Sequence, residues 1–121
     1  MKILIVEDEE FNQMVILEMI GLILPHVELI LANNGQEALH KIHEHQFDLI
    51  LSDIGMPIMD GQELARQIRT SLNLTTPLVC VSAFAVTGDR EKFLMAGFDD
   101  YISKPIDFHE LKRILEKYIS A

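Results

Sequence analysis

The chain has 121 residues, 49% hydrophobic and 24% charged, a composition that suits one folded domain and excludes a disordered segment. Ten basic against nineteen acidic residues leave a net charge of −9, which argues against direct contact with nucleic acid or an anionic membrane surface. No apolar stretch approaches the ~20 residues that span a bilayer, and the longest, around 14–24, is broken by Glu18. The N-terminus runs straight into a strand-like segment with no cleavage site, and Cys80 is a lone cysteine, so a reducing, cytoplasmic setting is expected.

Strand-like and helix-like segments alternate five times. The run Ile3-Leu4-Ile5-Val6 precedes a helix from about Glu10 to Leu24, closed by Pro25. A second strand over 27–31 turns at Asn33-Asn34-Gly35 into a helix with Ala38, Leu39 and Ile42 on one face. A third strand covers 47–52. Asp60 then opens a helix with Leu64, Ala65 and Ile68 inward, and Glu63 completes an acidic variant of the capping box.

Pro77 introduces a fourth strand over 78–82, and a helix from about Thr87 stops at Gly97. The fifth strand is 100–103, and Asp107 caps a last helix with Phe108, Leu111, Ile114, Leu115 and Tyr118 at 3.6 spacing. The strands are mostly continuous apolar runs, as in a parallel sheet covered on both faces. The expected fold is α/β: a doubly wound, five-stranded parallel sheet of order 2-1-3-4-5, flavodoxin-like (βα)5. It forms one domain over 1–121, with no output domain expected.

Four of the strand runs end on polar residues: Glu7-Asp8, Asp53, Ser82 and Lys104. In open α/β sheets ligands bind beyond the carboxyl ends of the strands. Adjacent first and third strands bring Asp8 and Asp53 together, with Glu7 beside them. Two carboxylates ~4 Å apart repel by ~4 kcal/mol at an effective dielectric of ~20, so such a cluster shifts a pKa or holds a cation. Hard oxygen ligands with room for water suit Mg²⁺. A metal-only site has no need of the Lys104 ammonium, whereas an acyl-phosphate site uses it and the Ser82 hydroxyl on the phosphoryl oxygens. Asp53 stands alone at its strand end and is assigned the attack on phosphorus, which leaves Glu7 and Asp8 for the metal.

Ile5-Val6-Glu7-Asp8, Asp53-Ile54-Gly55-Met56-Pro57 with Met59-Asp60-Gly61, Ser82-Ala83 and Lys104-Pro105-Ile106 resemble the receiver domain of two-component response regulators. The resemblance covers the whole chain. It is closest in style to receivers of hybrid sensor kinases, through Asn12, Asn34-Gly35-Gln36-Glu37-Ala38-Leu39 and Gly88-Asp89-Arg90. It implies that Asp53 is the phosphoacceptor, that Asp8 and Asp53 ligate Mg²⁺ directly, that Glu7 acts largely through water and that the Gly55 carbonyl is a further ligand. It also implies that Ser82 and Lys104 bind the phosphoryl group, that Tyr101 is an aromatic switch and that the Lys104–Pro105 bond is cis.

The implied partner is a histidine kinase or histidine phosphotransfer protein, the donor of a phosphohistidine phosphoryl group. The rim of fourth helix, fifth strand and fifth helix would serve a homodimer or a downstream protein. The domain would catalyse transfer to its own aspartate without being a conventional turnover enzyme. Gly55 and Phe84 depart from the commonest family pattern, at positions that tune phosphate lifetime.

Plainer readings exist for each residue taken singly. Asp53 could be a turn acid, Ser82 a helix cap, Lys104 a solvated lysine and Tyr101 ordinary packing. His40, His43 and His45 read as solvated positions and the methionines as core filler. The apolar excess of the first helix, including Phe11, Met14 and Val15, is either deep core or a docking patch for a four-helix phosphodonor. A Mg²⁺-dependent aspartyl-phosphate phosphatase would need an acid two residues past the nucleophile, where Gly55 stands. A non-phosphorylated interaction module would have no use for clustered acids.

Overall fold

The computed structural model describes residues 1–56, 58–83 and 89–119. The elements are β1 (Lys2–Val6), α1 (Glu10–Ile23), β2 (Glu28–Ala32), α2 (Gly35–Glu44), β3 (Leu49–Asp53), α3 (Gly61–Arg66), β4 (Leu78–Ser82), α4 (Asp89–Ala96), β5 (Asp100–Ser103) and α5 (Phe108–Tyr118). All strand pairs are parallel and the order is β2-β1-β3-β4-β5, as the alternation of runs predicts. The expected helix start near Thr87 and the residue Phe84 lie outside the described residues.

Side chains alternate across the sheet and divide the interior into two cores. Ile3, Ile5, Leu49, Leu51, Val79, Val81 and Ile102 pack with Ile16 and Ile20 of α1 and with Leu111, Ile114 and Leu115 of α5. On the other face, Leu4, Val6, Ile50, Leu78 and Cys80 pack with Ala38 of α2, Leu64, Ala65 and Ile68 from α3 onward, and Phe93 of α4. Burial on both faces explains why the strands read as continuous apolar runs. Cys80 is fully buried and its thiol is pushed up by that burial, as expected of an inert core residue.

Local signals set the helix ends. Asn34, Asp60 and Asp107 accept hydrogen bonds from the backbone N–H of Glu37, Glu63 and Glu110, at 2.8, 2.9 and 3.0 Å; each such cap stabilises by ~1 kcal/mol. The expected capping box at α3 is only half formed. The Glu63 carboxylate turns to Arg66 and Gln67, and Arg66 holds it down at about 2. Gly97 ends α4 at φ 120, in the left-handed region that glycine tolerates.

Four further features differ from the sequence expectation. β2 lies one residue later than 27–31, and β3 runs Leu49–Asp53, so Asp53 is the last paired residue of its strand, opposite Val81. α3 continues as a π-helical turn, Gln67–Ser71, closed by Leu72 N–H donating to the Gln67 carbonyl at 3.0 Å. Within it, Arg69 donates to the carbonyls of Gly97, Leu74 and Thr76 and to Asp99, at 2.8–2.9 Å, clasping the ends of α3 and α4 to the entries of β4 and β5. The methionines do not all fill the core: Met14 and Met95 are 62% and 88% exposed.

α1 settles its two readings in favour of an exposed face. Ile16, Ile20 and Gln13 face inward, while Phe11, Met14 and Leu22 are 68%, 62% and 71% exposed and Val15 is half-buried.

Candidate functional site

The sheet register assembles the site. Val6 pairs with Ser52 and Asp53 with Val81, so the residue following β1, Glu7, stands beside Asp53 at the carboxyl edge of the sheet. Glu7, Asp8 and Asp53 each offer a carboxylate oxygen within 4.8 Å of the others. Among the described residues this is the one such grouping of His, Cys, Asp or Glu, and it excludes His40, His43 and His45. Hard oxygen donors, one of them exposed to water at Asp8, fit Mg²⁺ by size, charge and hydration.

Lys104 joins the acids from the end of β5. Its Nζ donates to Glu7 Oε1 at 2.7 Å and to Asp53 Oδ2 at 3.0 Å. Burial pushes the Glu7 carboxyl above its ordinary value; Lys104 and the Glu9 N–H oppose that rise without cancelling it, and Asp53 adds to it. Burial alone would lower the Lys104 ammonium, but hydrogen bonds to Glu7 and Asp53 outweigh it and hold the group above its ordinary value. Lys104–Pro105 is a cis bond, as the resemblance implied.

Asp53 is held through both its carboxylate and its carbonyl. Ile54 N–H donates to Oδ1 at 2.7 Å, and the buried Ser52 hydroxyl donates to the Asp53 carbonyl at 2.9 Å. Gly61, at the start of α3, packs on that carbonyl so closely that a Cβ there would lie 2.1 Å from it. The loop between them passes through Ile58, 77% exposed at φ 70, a backbone region that costs a β-branched residue. Gly55 is exposed, with nothing within 4 Å of where a Cβ would sit.

Ser82 ends β4 and is fully buried; its carbonyl accepts from Lys104 N–H at 2.9 Å. Tyr101 is half-buried, stacks on Phe93 at 5.8 Å and 11°, and brings its hydroxyl to 3.4 Å from the Ser82 carbonyl. The structure thus brings together Glu7, Asp8, Asp53 and Lys104, puts Gly55, Ser82 and Tyr101 around them, and leaves Phe84 undescribed.

A recess of about 130 Å³ opens beside Lys104, between Phe11, Asn12 and Val15 of α1 and the segment Lys104, Pro105 and Ile106. A larger one of about 560 Å³, lined by Ile42, Phe47, Leu72 and Leu74, lies at the amino ends of the strands and touches none of these groups. Ser52 and Gln13 escaped the sequence reading. A polar residue in the same helical stripe as Ile16 and Ile20 is a usable sign for Gln13; Ser52, directly after the apolar run that ends at Leu51, carries no comparable sign.

Known proteins share this sequence pattern and this fold. The chain is 38% identical over 120 residues to hybrid signal transduction histidine kinase G of Dictyostelium discoideum, covering 98% of this chain and 4% of that kinase. The receiver domain of sensor histidine kinase PA1611 from Pseudomonas aeruginosa PAO1, crystallised with magnesium in its active-site cleft, superposes with a TM-score of 0.85 at 35% identity, over 99% of this chain and 98% of that one. The Saccharomyces cerevisiae receiver domain of Ssk1, in complex with the histidine phosphotransfer protein Ypd1, does so with a TM-score of 0.86 at 29% identity, over 98% and 88%. The profile of the response regulator receiver domain matches residues 3–116. With sheet order, acid cluster and family profile in agreement, the chain belongs to the response regulator receiver domain family of two-component and phosphorelay signalling.

Proposed function

We propose that this domain accepts a phosphoryl group on Asp53 from a phosphohistidine and thereby switches a partner-binding surface. The observation that carries the reading is the Lys104 ammonium bridging Asp53 and Glu7 within a cluster of three carboxylates. Glu7, Asp8, Asp53 and the Gly55 carbonyl are the groups to hold Mg²⁺, which when bound offsets charge on the phosphoryl oxygens. The P–N bond to the donor imidazole breaks as a P–O bond forms to an Asp53 carboxylate oxygen, and the electron pair of the broken bond returns to the imidazole nitrogen. Lys104 and Ser82 bind the transferred oxygens, Lys104 as countercharge and Ser82 as hydroxyl donor. The transfer is self-catalysed rather than turnover of a separate substrate.

The donor is a histidine kinase or histidine phosphotransfer protein. Exposed Phe11 and Met14 on α1, next to the recess at Lys104–Ile106, supply an apolar seat for a helical donor within reach of Asp53. Phosphate adds ~1.5–2 negative charges and draws Ser82 and Lys104 inward, and Tyr101 follows by rearranging its stack on Phe93. The α4–β5–α5 rim, where Leu94 and Met95 are exposed, then serves a second copy or a downstream protein. Gly55 and Phe84 set how long the phosphate lasts. A cytoplasmic location suits this chemistry, and no helix among the described residues is long and apolar enough to cross a membrane.

The test is incubation with Mg²⁺ and acetyl phosphate, followed by intact mass measurement. An acid-stable, base-labile phosphoryl adduct is expected on the wild type and none on Asp53→Asn. Absence of both Mg²⁺ binding and adduct in the wild type refutes the mechanism.

A further inference from the structure

Gln13 puts a carboxamide on the inward face of α1, in one stripe with Ile16 and Ile20, and is 8% exposed. Burying such a group is costly unless it is hydrogen-bonded, so its bonds indicate its purpose. Nε2 donates to the Glu7 carbonyl at 2.6 Å and to Asn33 Oδ1 at 2.8 Å, and Asn33 Nδ2 reaches the Glu37 carboxylate at 3.2 Å. The Glu7 N–H meanwhile donates to the Ala32 carbonyl at 3.0 Å. The chain leaving β1 is therefore gripped by the end of β2 through its N–H and by α1 through its carbonyl.

The carbonyl bond reaches further than Glu7. That oxygen belongs to the peptide unit joining Glu7 to Asp8, which is planar and contains both Cα atoms. Fixing the oxygen fixes the Cα of Asp8. The Glu7 carboxylate has its own anchors, Lys104 on Oε1 and the Glu9 N–H on Oε2 at 3.1 Å. The Asp8 side chain is exposed and, among the described residues, makes no hydrogen bond or ion pair. Its placement relative to Asp53 comes through the backbone alone, and Gln13 anchors that backbone.

We propose that Gln13 is a positioning residue of the metal site: its bond to the Glu7–Asp8 peptide sets where the Asp8 carboxylate stands relative to Asp53, and so sets the affinity for Mg²⁺. The proposal rests on reading Asp8 and Asp53 as Mg²⁺ ligands. It also makes α1, whose outer face carries Phe11 and Met14, a mechanical part of the metal site.

Gln13→Met keeps the side chain's length and helix propensity while removing the donor. Asn33→Ala removes only the outer bond. Ile16→Val, one turn further along the same stripe, is a control that weakens packing without touching the Glu7 carbonyl. Mg²⁺ titrations followed by the amide NMR shifts of Asp8 and Asp53, on samples shown to be folded, give the dissociation constants.

Gln13→Met is expected to weaken Mg²⁺ about fivefold, the value of one ordinary hydrogen bond. Asn33→Ala should weaken it by less, and Ile16→Val should leave it unchanged. Mg²⁺ affinity of Gln13→Met within about twofold of wild type, or an equal loss in Ile16→Val, overturns the role of Gln13 and leaves the metal site standing. No Mg²⁺-dependent shift in the wild type overturns the metal reading itself, and the role of Gln13 with it.

Discussion

Lys104→Met probes the electrostatics of the site most directly. The ammonium lies 2.7 Å from Glu7 and 3.0 Å from Asp53, and the three side chains are 17%, 7% and 13% exposed. Without it, Glu7 and Asp53 keep carboxylate oxygens within 4.8 Å of each other. Two unit charges at that distance repel by about 3.5 kcal/mol at an effective dielectric of ~20. Stranding a buried charge typically costs ~3–5 kcal/mol, in the same range. The variant should therefore lose about 3 kcal/mol of unfolding free energy near pH 7 in EDTA.

Two treatments should restore stability to Lys104→Met. Mg²⁺ supplies the missing countercharge, so it should stabilise the variant more than the wild type. Acid is the other. Burial already raises the folded pKa of Glu7 above 4.5, and losing Lys104 removes a group that lowers it. A carboxyl raised in the folded state contributes stability that is complete below its unfolded pKa and lost as pH rises through its folded pKa. The deficit should thus shrink as pH falls from neutrality toward 4.5. Lys104 is itself raised above 10.5, so its contribution is present below that value and lost as pH climbs through the folded pKa; the wild type should weaken there and the variant should not. Urea unfolding followed by far-UV circular dichroism reads all of this. A loss below about 1 kcal/mol near pH 7, or a deficit that neither Mg²⁺ nor acid reduces, refutes the reasoning.

Gly61→Ala puts a Cβ 2.1 Å from the Asp53 carbonyl and 2.9 Å from the Ile54 Cα, both backbone atoms. It should cost ~1–3 kcal/mol and slow adduct formation with acetyl phosphate, by thermal unfolding and timed mass measurement. Gly21→Ala, in mid-α1 with nothing within 4 Å, should gain ~0.8–1 kcal/mol of stability in urea. The equally open Gly55→Gln should lengthen the half-life of the aspartyl phosphate by covering the phosphoryl group; an unchanged decay removes that role from Gly55.

Burial pushes the Asp100 carboxyl up, yet the Tyr101 N–H, Lys117 and Tyr118 outweigh it and hold it below its usual range. A depressed carboxyl contributes stability above its unfolded pKa that is lost as pH falls through the folded one. Asp100→Asn should therefore destabilise by ~1–3 kcal/mol at neutral pH and flatten the acid unfolding profile below about pH 4.

The sheet order was legible because most strands are apolar runs ended by a turn or a polar residue, and because βα alternation leaves few topologies. The acids and Lys104 were legible because they close those runs. Other features depend on contacts between distant segments. Arg69 reads as a surface cation on a helix, and only the approach of Gly97, Leu74, Thr76 and Asp99 makes it a clasp. The π turn at Gln67–Ser71 carries no proline or glycine to announce it. Glu63 satisfies the capping-box pattern, yet Arg66, one turn on, competes successfully for its carboxylate. β3 reaches Asp53 because its partner β4 extends alongside it, something the apolar run, ending at Leu51, does not encode.

The division of the interior into two cores has a consequence for signalling. Ile16 and Ile20 of α1 share one core with α5, whereas Phe93 of α4 lies in the other, across the sheet. Among the described residues α1 and α4 therefore share no core cluster, and the sheet stands between a donor seated on α1 and the exposed Leu94 and Met95. The sheet separates α1 from the α4 part of the proposed output rim, while α5, the other helix of that rim, packs on the α1 side. α1 and α4 are both tied to the carboxyl edge, where Glu7, Asp53, Lys104 and Ser82 stand, so under the proposed function docking alone leaves α4 undisturbed and chemistry at Asp53 is what reaches it.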